Sequence, residues 1–373
     1  MEMYIECCKF MKHLTLMLKP ASSLCNMRCT YCFYHDVAAL RSNASFGFMN
    51  KEVAKKIIEN TFCELISGDH ITFAFQGGEP SLAGLDFFLY FIAHVKKTVP
   101  AGVKVHYAFQ TNGLMITEDW CRFFKLHKFL IGLSLDGDAA LHNRNRIDKQ
   151  CKGTFSRVMK TKKLLEQFNV DYNVLCVLTS ESARRANRIW DFILRENISY
   201  VQFIPCLQPL EDCAPAALSS ERFYRFYSEL FRLWKVEIAK GNMIVVKLFE
   251  DLAVSLLTGH PLSCSLSGRC TPQFVVEADG AVYPCDFYVL DKYKIGDLSK
   301  NSIKTIFDDL VISSFYAIYQ ENLHCDGCRY SSWCHGGCKR MSVYGEACGM
   351  RLFLDECLDD LLLHYRRYIM GYN

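Results

Sequence analysis

Apolar residues recur through the first half of the chain in two alternating rhythms. Residues 14–19, 71–76, 103–110, 129–135, 171–178 and 200–205 are short runs rich in Val, Ile, Phe and Tyr, with the length and composition of strands. Between them, residues 52–65, 87–97, 118–127, 155–168 and 183–196 place apolar side chains at three- and four-residue intervals, the pattern of helices with one buried face. Strand–helix alternation of this kind predicts parallel βαβ units joined by right-handed crossovers. Two longer amphipathic stretches follow, at 221–240 and 243–257. After Gly259-His260-Pro261 the text changes to cysteine, glycine and short strands, with a hairpin expected over 273–276 and 281–283 around Ala278-Asp279-Gly280. No internal repeat or low-complexity linker interrupts the pattern.

Composition narrows the function classes. A hydrophobic content of 50% over 373 residues describes a folded chain long enough for two domains. A net charge of +3, with Arg184-Arg185 and Arg366-Arg367 as isolated pairs, leaves no basic groove for nucleic acid. No run approaches the ~20 apolar residues of a membrane helix. Glu2, Glu6 and Lys9 break any apolar leader core, so the expected location is a reducing cytoplasm. There the 20 cysteines point to metal or redox chemistry instead of disulfides.

The chemistry begins at Cys25-Asn26-Met27-Arg28-Cys29-Thr30-Tyr31-Cys32, directly after the first strand. Cubane iron–sulfur clusters are normally held by four thiolates. A loop offering three leaves one iron open to a non-protein ligand. Zinc, the competing occupant, favours paired CxxC knuckles and four protein ligands. Polar motifs also end the next strands: Gln76-Gly77-Gly78-Glu79-Pro80, Gln110-Thr111-Asn112-Gly113 and Ser134-Leu135-Asp136-Gly137. In parallel α/β folds, chemistry gathers at such C-terminal strand ends.

The CxxxCxxC spacing followed by Phe33-Tyr34-His35 resembles the radical S-adenosylmethionine (SAM) signature. The resemblance implies a partial (β/α)6 TIM-like barrel, with SAM chelating the open iron. It assigns SAM contacts to Tyr31, Gly78, Ser134, Arg146 and Leu207. Further on, Cys325-Asp326-Gly327-Cys328 followed by Cys334 and Cys338 is similar to the SPASM domain of radical SAM peptide-modifying enzymes. That likeness implies two auxiliary [4Fe–4S] clusters. Cys264, Cys270, Cys285 and Cys338 would hold one, and Cys325, Cys328, Cys334 and Cys357 the other, three cubanes in all. Cys348 is left as a free thiol. Cys7, Cys8, Cys63, Cys121, Cys151, Cys176, Cys206 and Cys213 are read as small apolar residues or surface thiols. The expected division is an extension over 1–13, a core over 14–240 and a bridging helix with the SPASM domain over 241–373.

Four segments narrow the likeness further: Lys19-Pro20-Ala21-Ser22-Ser23, Cys32-Phe33-Tyr34-His35, Phe73 through Pro80, and Tyr283 through Tyr288. Together they resemble the anaerobic sulfatase-maturating enzymes. The resemblance implies oxidation of a Cys or Ser in an unfolded sulfatase polypeptide to Cα-formylglycine, begun by hydrogen abstraction at Cβ by a 5′-deoxyadenosyl radical. Asp286 would take the proton and an auxiliary cluster the electron. Gln76 and Tyr34 are candidates for orienting substrate, and a flavodoxin- or ferredoxin-like protein is the implied electron donor. Another SPASM peptide maturase, forming a thioether or crosslink, stays open at this point. So does a non-enzymatic iron–sulfur or zinc protein.

Overall fold

The computed structural model describes residues 13–211, 216–268, 270, 273–307, 315, 325–341 and 347–370. Cys7, Cys8, Cys213 and nearly all of the expected 1–13 extension lie outside these residues. In chain order the main elements are β1 (His13–Leu18), α1 (Phe33–Ala39), α2 (Lys51–Phe62), β2 (His70–Phe75), α3 (Leu85–Thr98), β3 (Lys104–Thr111), α4 (Glu118–Leu126), β4 (Phe129–Ser134), α5 (Ala139–Asn145) and α6 (Phe155–Gln167). Next come β5 (Tyr172–Leu178), α7 (Ala186–Arg195), β6 (Tyr200–Pro205), α8 (Ser220–Ala239), β7 (Val245–Val246) and α9 (Lys247–Thr258). The chain then forms β8 (Val275–Val276), β9 (Ala281–Tyr283), β10 (Gly296–Asp297) and α10 (Gly349–Met370). All six expected strands form, and so do the helices expected between them, with ends moved by a few residues. Among the described residues no helix is long and apolar enough to cross a membrane.

The chain forms two compact units. The first gathers residues 1–133, 147–172 and 272–318. Its strands run in the order β10-β9-β8-β1-β2-β3-β4. β1 to β4 are mutually parallel, so their C-terminal ends lie on one side. Alternation sets the strand faces: Leu14, Leu16 and Leu18 of β1 point inward and are almost wholly buried. The helices start where capping chemistry allows; the Asn50 side chain accepts from Val53 N at 2.8 Å to open α2. The core is aromatic. Phe75 meets Phe88 and Phe91 edge-on at ring separations of 5.1 Å, and Phe109 meets Phe124 at 5.1 Å. Each such pair contributes about 0.5–1.5 kcal/mol beyond the burial of its area. The expected hairpin forms as β8–β9 and attaches to β1, with Met17 opposite Val275 and Leu18 opposite Val276 in parallel register.

The second unit gathers residues 134–146, 173–271 and 319–373. It contains the parallel set β5, β6 and β7. The helix expected from residue 243 starts at Lys247 because Val245–Val246 pairs instead with Tyr200–Val201. Helices α8, α9 and α10 share an aromatic core in which Phe249 stacks on Phe353 at 5.7 Å and Trp234 on Tyr365 at 5.7 Å. The helix α10 was not foreseen. Its sequence mixes Asp, Glu and Arg with Leu and Phe, and hydrophobic periodicity alone leaves it faint. Cys121, Cys176 and Cys206 are buried, whereas Cys63 and Cys151 are exposed.

Candidate functional site

In the first unit, β1 ends at Leu18 and the chain turns through the three-cysteine loop into α1, whose N-cap is Cys32. This loop is braced on two sides. Arg28 N donates to Ile147 O at 2.7 Å, and Met27 bridges to Asp148. From the other side, Gly78 N donates to Ser22 O and Glu79 N to Leu24 O, both at 2.8 Å. A Cβ on Gly78 would lie 2.0 Å from the Leu24 carbonyl oxygen. Gly78 therefore lets the turn press against the cysteine loop itself. Gly78 remains a residue assigned to SAM by resemblance, as is the half-buried Tyr31.

Glu79 is buried beneath this turn and is the brace's centre. Its carboxylate accepts from Ser81 N and Oγ, from Thr111 Oγ1 at 2.8 Å and from Asn112 N at 2.7 Å. Burial outweighs these bonds and pushes its carboxyl above the usual range. Asn112 then reaches the loop, donating to Asn26 Oδ1 at 2.8 Å and lying 3.6 Å from Cys25 Sγ. Burial first, and then the charges of Glu79, Cys29 and Cys32, push the Cys25 thiol up to about 12. Thiols crowded in this way ionise against a cationic centre, and their donor set fits iron.

Asp286 lies in the same unit, just past β9. Lys19 Nζ is 2.6 Å from Asp286 Oδ1, and Gln76 Nε2 donates to Oδ2 at 2.7 Å. Gln76, read from the sequence as a candidate for orienting substrate, thus stands beside the candidate base. Tyr34, the other candidate for orienting substrate, turns its hydroxyl toward its own chain. It is buried, its hydroxyl donates to Glu277, and its ring carries Lys19 Nζ at 3.7 Å. Burial and the neighbouring Glu277 hold the Tyr34 hydroxyl well above the usual phenol range, so it remains a donor. Arg41 Nη1 completes the group at 2.6 Å from Glu277 Oε1. Sequence reasoning missed Lys19, Arg41 and Glu277. Their signal was available: a charged residue among apolar neighbours, as Glu277 stands between Val276 and Ala278.

In the second unit, Ser134 ends β4 and Leu207 stands just past β6, half-buried instead of sunk in the core. Arg146 is buried, with Nε 3.0 Å from Asp136 Oδ2. Asp136 also accepts from Val177 N at 2.9 Å, while its own N–H donates to His142 Nδ1 at 3.3 Å. Arg146, expected to meet the SAM carboxylate, already holds one carboxylate of its own chain. Five guanidinium donors leave capacity for another.

The same unit holds two groups of cysteines. Burial and the charges of Cys338 and Cys270 push the Cys264 thiol up to about 11, so these three sulfurs lie within electrostatic reach of one another. Gly268 makes this approach possible: a Cβ there would lie 2.4 Å from Cys334 O. Cys334 couples likewise to Cys325, Cys348 and Cys328. Cys325, Cys328, Cys334, Cys338 and Cys348 line one cavity of ≈170 Å³. Cys357, the fourth ligand that the resemblance implies, does not line this cavity. It is buried on α10, and the charges that reach it come from Glu356, Lys235 and Asp360, with no cysteine among them. Nine residues of helix advance the chain by roughly 13 Å, too far for Cys348 and Cys357 to serve one cubane. Cys348, set aside as a free thiol, takes the place beside Cys325, Cys328 and Cys334.

Comparison with known proteins identifies the family. Residues 20–192 match the model of the radical SAM superfamily, and residues 268–336 match the SPASM iron–sulfur cluster-binding domain. The chain is 40% identical over 334 residues to a cysteine-type anaerobic sulfatase-maturating enzyme of Clostridium novyi (strain NT), covering 88% of this chain and 89% of that protein. It is 32% identical to a serine-type enzyme of Klebsiella aerogenes, covering 87% of this chain and 79% of that one. A solved structure, native anSMEcpe with bound AdoMet and Kp18Cys peptide, superposes with a TM-score of 0.88 at 35% identity over 95% of this chain and 99% of that one. The parallel α/β core with C-terminal cysteine groups is thus the radical SAM fold with a SPASM domain, and the chain belongs to the anaerobic sulfatase-maturating enzymes.

Proposed function

We propose that this chain oxidises the target cysteine of an unfolded sulfatase polypeptide to Cα-formylglycine, with Asp286 as proton acceptor. The observation that carries the reading is the Asp286 carboxylate, next in the chain to Cys285 and held on one oxygen by Lys19 and on the other by Gln76. The higher identity to the cysteine-type relative than to the serine-type one favours cysteine as the oxidised residue. When bound, SAM and the [4Fe–4S] clusters supply the hydrogen-abstracting group at Cβ and an acceptor for the remaining electron.

The chain's own residues do the rest. Cys25, Cys29 and Cys32 hold the first cluster, and the Glu79–Asn112 brace sets their loop. The resemblance assigns Tyr31, Gly78, Ser134, Arg146 and Leu207 to SAM. The resemblance assigns Cys264, Cys270, Cys285 and Cys338 to one auxiliary cluster; Cys325, Cys328, Cys334 and Cys348, which line one cavity, would hold the other. Asp286 receives the substrate S–H proton. The substrate loses one hydrogen atom from Cβ, one proton from sulfur and one electron. The C=S product then takes up water and releases hydrogen sulfide, leaving the aldehyde. A flavodoxin- or ferredoxin-like donor in the cytoplasm supplies the reducing electron.

The test is anaerobic incubation of the reconstituted protein with SAM, reductant and matched cysteine- and serine-centred sulfatase peptides, read by mass spectrometry. Formylglycine from the cysteine peptide, faster than from the serine peptide, is the expected result. A product that keeps its sulfur, lacks two hydrogens and survives prolonged exposure to water unchanged would indicate a crosslinking maturase instead.

A further inference from the structure

Two buried ion pairs meet at one tyrosine. Lys19 is 1% exposed at the side chain, and its ammonium has Asp286 Oδ1 at 2.6 Å and the Tyr34 ring centroid at 3.7 Å. The second pair, Arg41 and Glu277, is wholly buried at 2.6 Å, and Tyr34 donates its hydroxyl to the same Glu277 oxygen. The two carboxylate charges cancel those of the Lys19 ammonium and the Arg41 guanidinium. An ammonium this deep requires both a counter-charge and a fixed surface, which Asp286 and the Tyr34 face provide.

We propose that Lys19 is a positioning residue for the oxidation, fixing the Asp286 carboxylate while Tyr34, Glu277 and Arg41 fix Lys19. An ionised carboxylate offers about four lone-pair sites. Lys19 occupies one on Oδ1 and Gln76 one on Oδ2, leaving the others to accept the substrate proton. Without Lys19 the carboxylate keeps a single side-chain tether from Gln76 and rotates out of line with the substrate sulfur. Lys19 touches neither the hydrogen atom nor the electron that leaves the substrate, so it acts on product formation and not on hydrogen abstraction. The inference rests on Asp286 being the base.

The experiment compares Lys19→Met, Lys19→Arg, Asp286→Asn and Lys19→Met/Asp286→Asn with the parent, all as reconstituted holoenzyme. Each receives SAM, dithionite and a peptide whose cysteine is deuterated at Cβ. Iron content, deuterium in 5′-deoxyadenosine and formylglycine are measured together. Lys19→Met is expected to keep iron content and to transfer deuterium within about two-fold of the parent, while formylglycine falls by ~10²-fold, the scale of losing a general base. Lys19→Arg, which restores the positive charge, recovers part of that yield. The double variant makes no less formylglycine than Asp286→Asn alone, because residues acting through one another are non-additive. The double variant is also a neutral pair, so it and Lys19→Arg carry the test if Lys19→Met alone loses iron. Losses that multiply in the double variant overturn the proposal, as do equal falls in deuterium transfer and formylglycine in Lys19→Arg. Parental yield from Lys19→Met beside an impaired Asp286→Asn overturns the Lys19 role and leaves the base assignment standing. Parental yield from Asp286→Asn removes both.

Discussion

At the scale of single residues, the most constrained atom in the first unit is the missing Cβ of Gly78. Alanine there puts a methyl group 2.0 Å from the Leu24 carbonyl oxygen, and the atom it meets is backbone that cannot swing aside. The turn must then move off the cysteine loop, losing the bonds from Gly78 N to Ser22 O and from Glu79 N to Leu24 O. Gly78→Ala is therefore expected to cost about 1–3 kcal/mol or more, the usual scale of overpacking. Its specific mark is loss of the cluster at Cys25, Cys29 and Cys32, about four irons, with the cysteine groups of the second unit unchanged. Iron analysis with electron paramagnetic resonance of the reduced protein checks this; full iron content would show that the loop tolerates the shift. Asp286→Asn tests a different atom. The amide keeps size but loses one acceptor oxygen and its charge beside Lys19. SAM cleavage is expected to persist while formylglycine falls by ~10²-fold. Parental product yield would move the base role to another group or to water.

Elements were the most legible level in the sequence, and their limits are instructive. Strands β1 to β6 and the helices between them follow from side-chain rhythm, because alternation and three-to-four spacing directly encode which face is buried. The cysteine loop and the turn at Gly77-Gly78 were legible for the same reason: their chemistry is local. What was hidden depends on pairing between distant segments. The hairpin of β8 and β9 was expected but its partner was not: the pairing of Val275–Val276 with Met17–Leu18 brings Asp286 to Lys19 across 267 positions. The last cluster cysteine was hidden differently. Cys348 and Cys357 both follow Cys338 at plausible spacing, and only the start of α10 between them separates their places. Cys348→Ala is therefore expected to lose about four irons, whereas Cys357→Ala keeps a full complement, since Cys348 and not Cys357 lines the cavity with Cys325, Cys328 and Cys334. Equal iron loss in both variants would contradict this assignment.

At the scale of the whole molecule, several histidines are held neutral by the fold, and stability must follow pH accordingly. Burial, with the nearby Arg146 adding to it, pushes His142 down to about 3 from an ordinary value near 6.5. Geometry agrees, because the imidazole accepts from Asp136 N at 3.3 Å and an imidazolium has no acceptor to offer there. Burial also lowers His13 and His127. A histidine whose folded value lies below its unfolded value binds fewer protons in the native state, so acid favours the unfolded chain. Nothing is lost above about pH 7. Below pH 6.5 the His142 contribution falls by about 1.4 kcal/mol per pH unit, and the loss continues until the folded value near 3 is reached. His142→Asn retains a side-chain acceptor for Asp136 N without a titrating ring, so it removes this slope and little else. Anaerobic thermal unfolding at pH 7.5 and 5.5 should show a smaller drop in midpoint for the variant than for the parent. Acid lability of the clusters is common to both proteins and cancels in that difference. Identical drops would mean that His142 already takes up its proton in the folded protein, and that the Asp136–Arg146 pair beside it tolerates the extra charge.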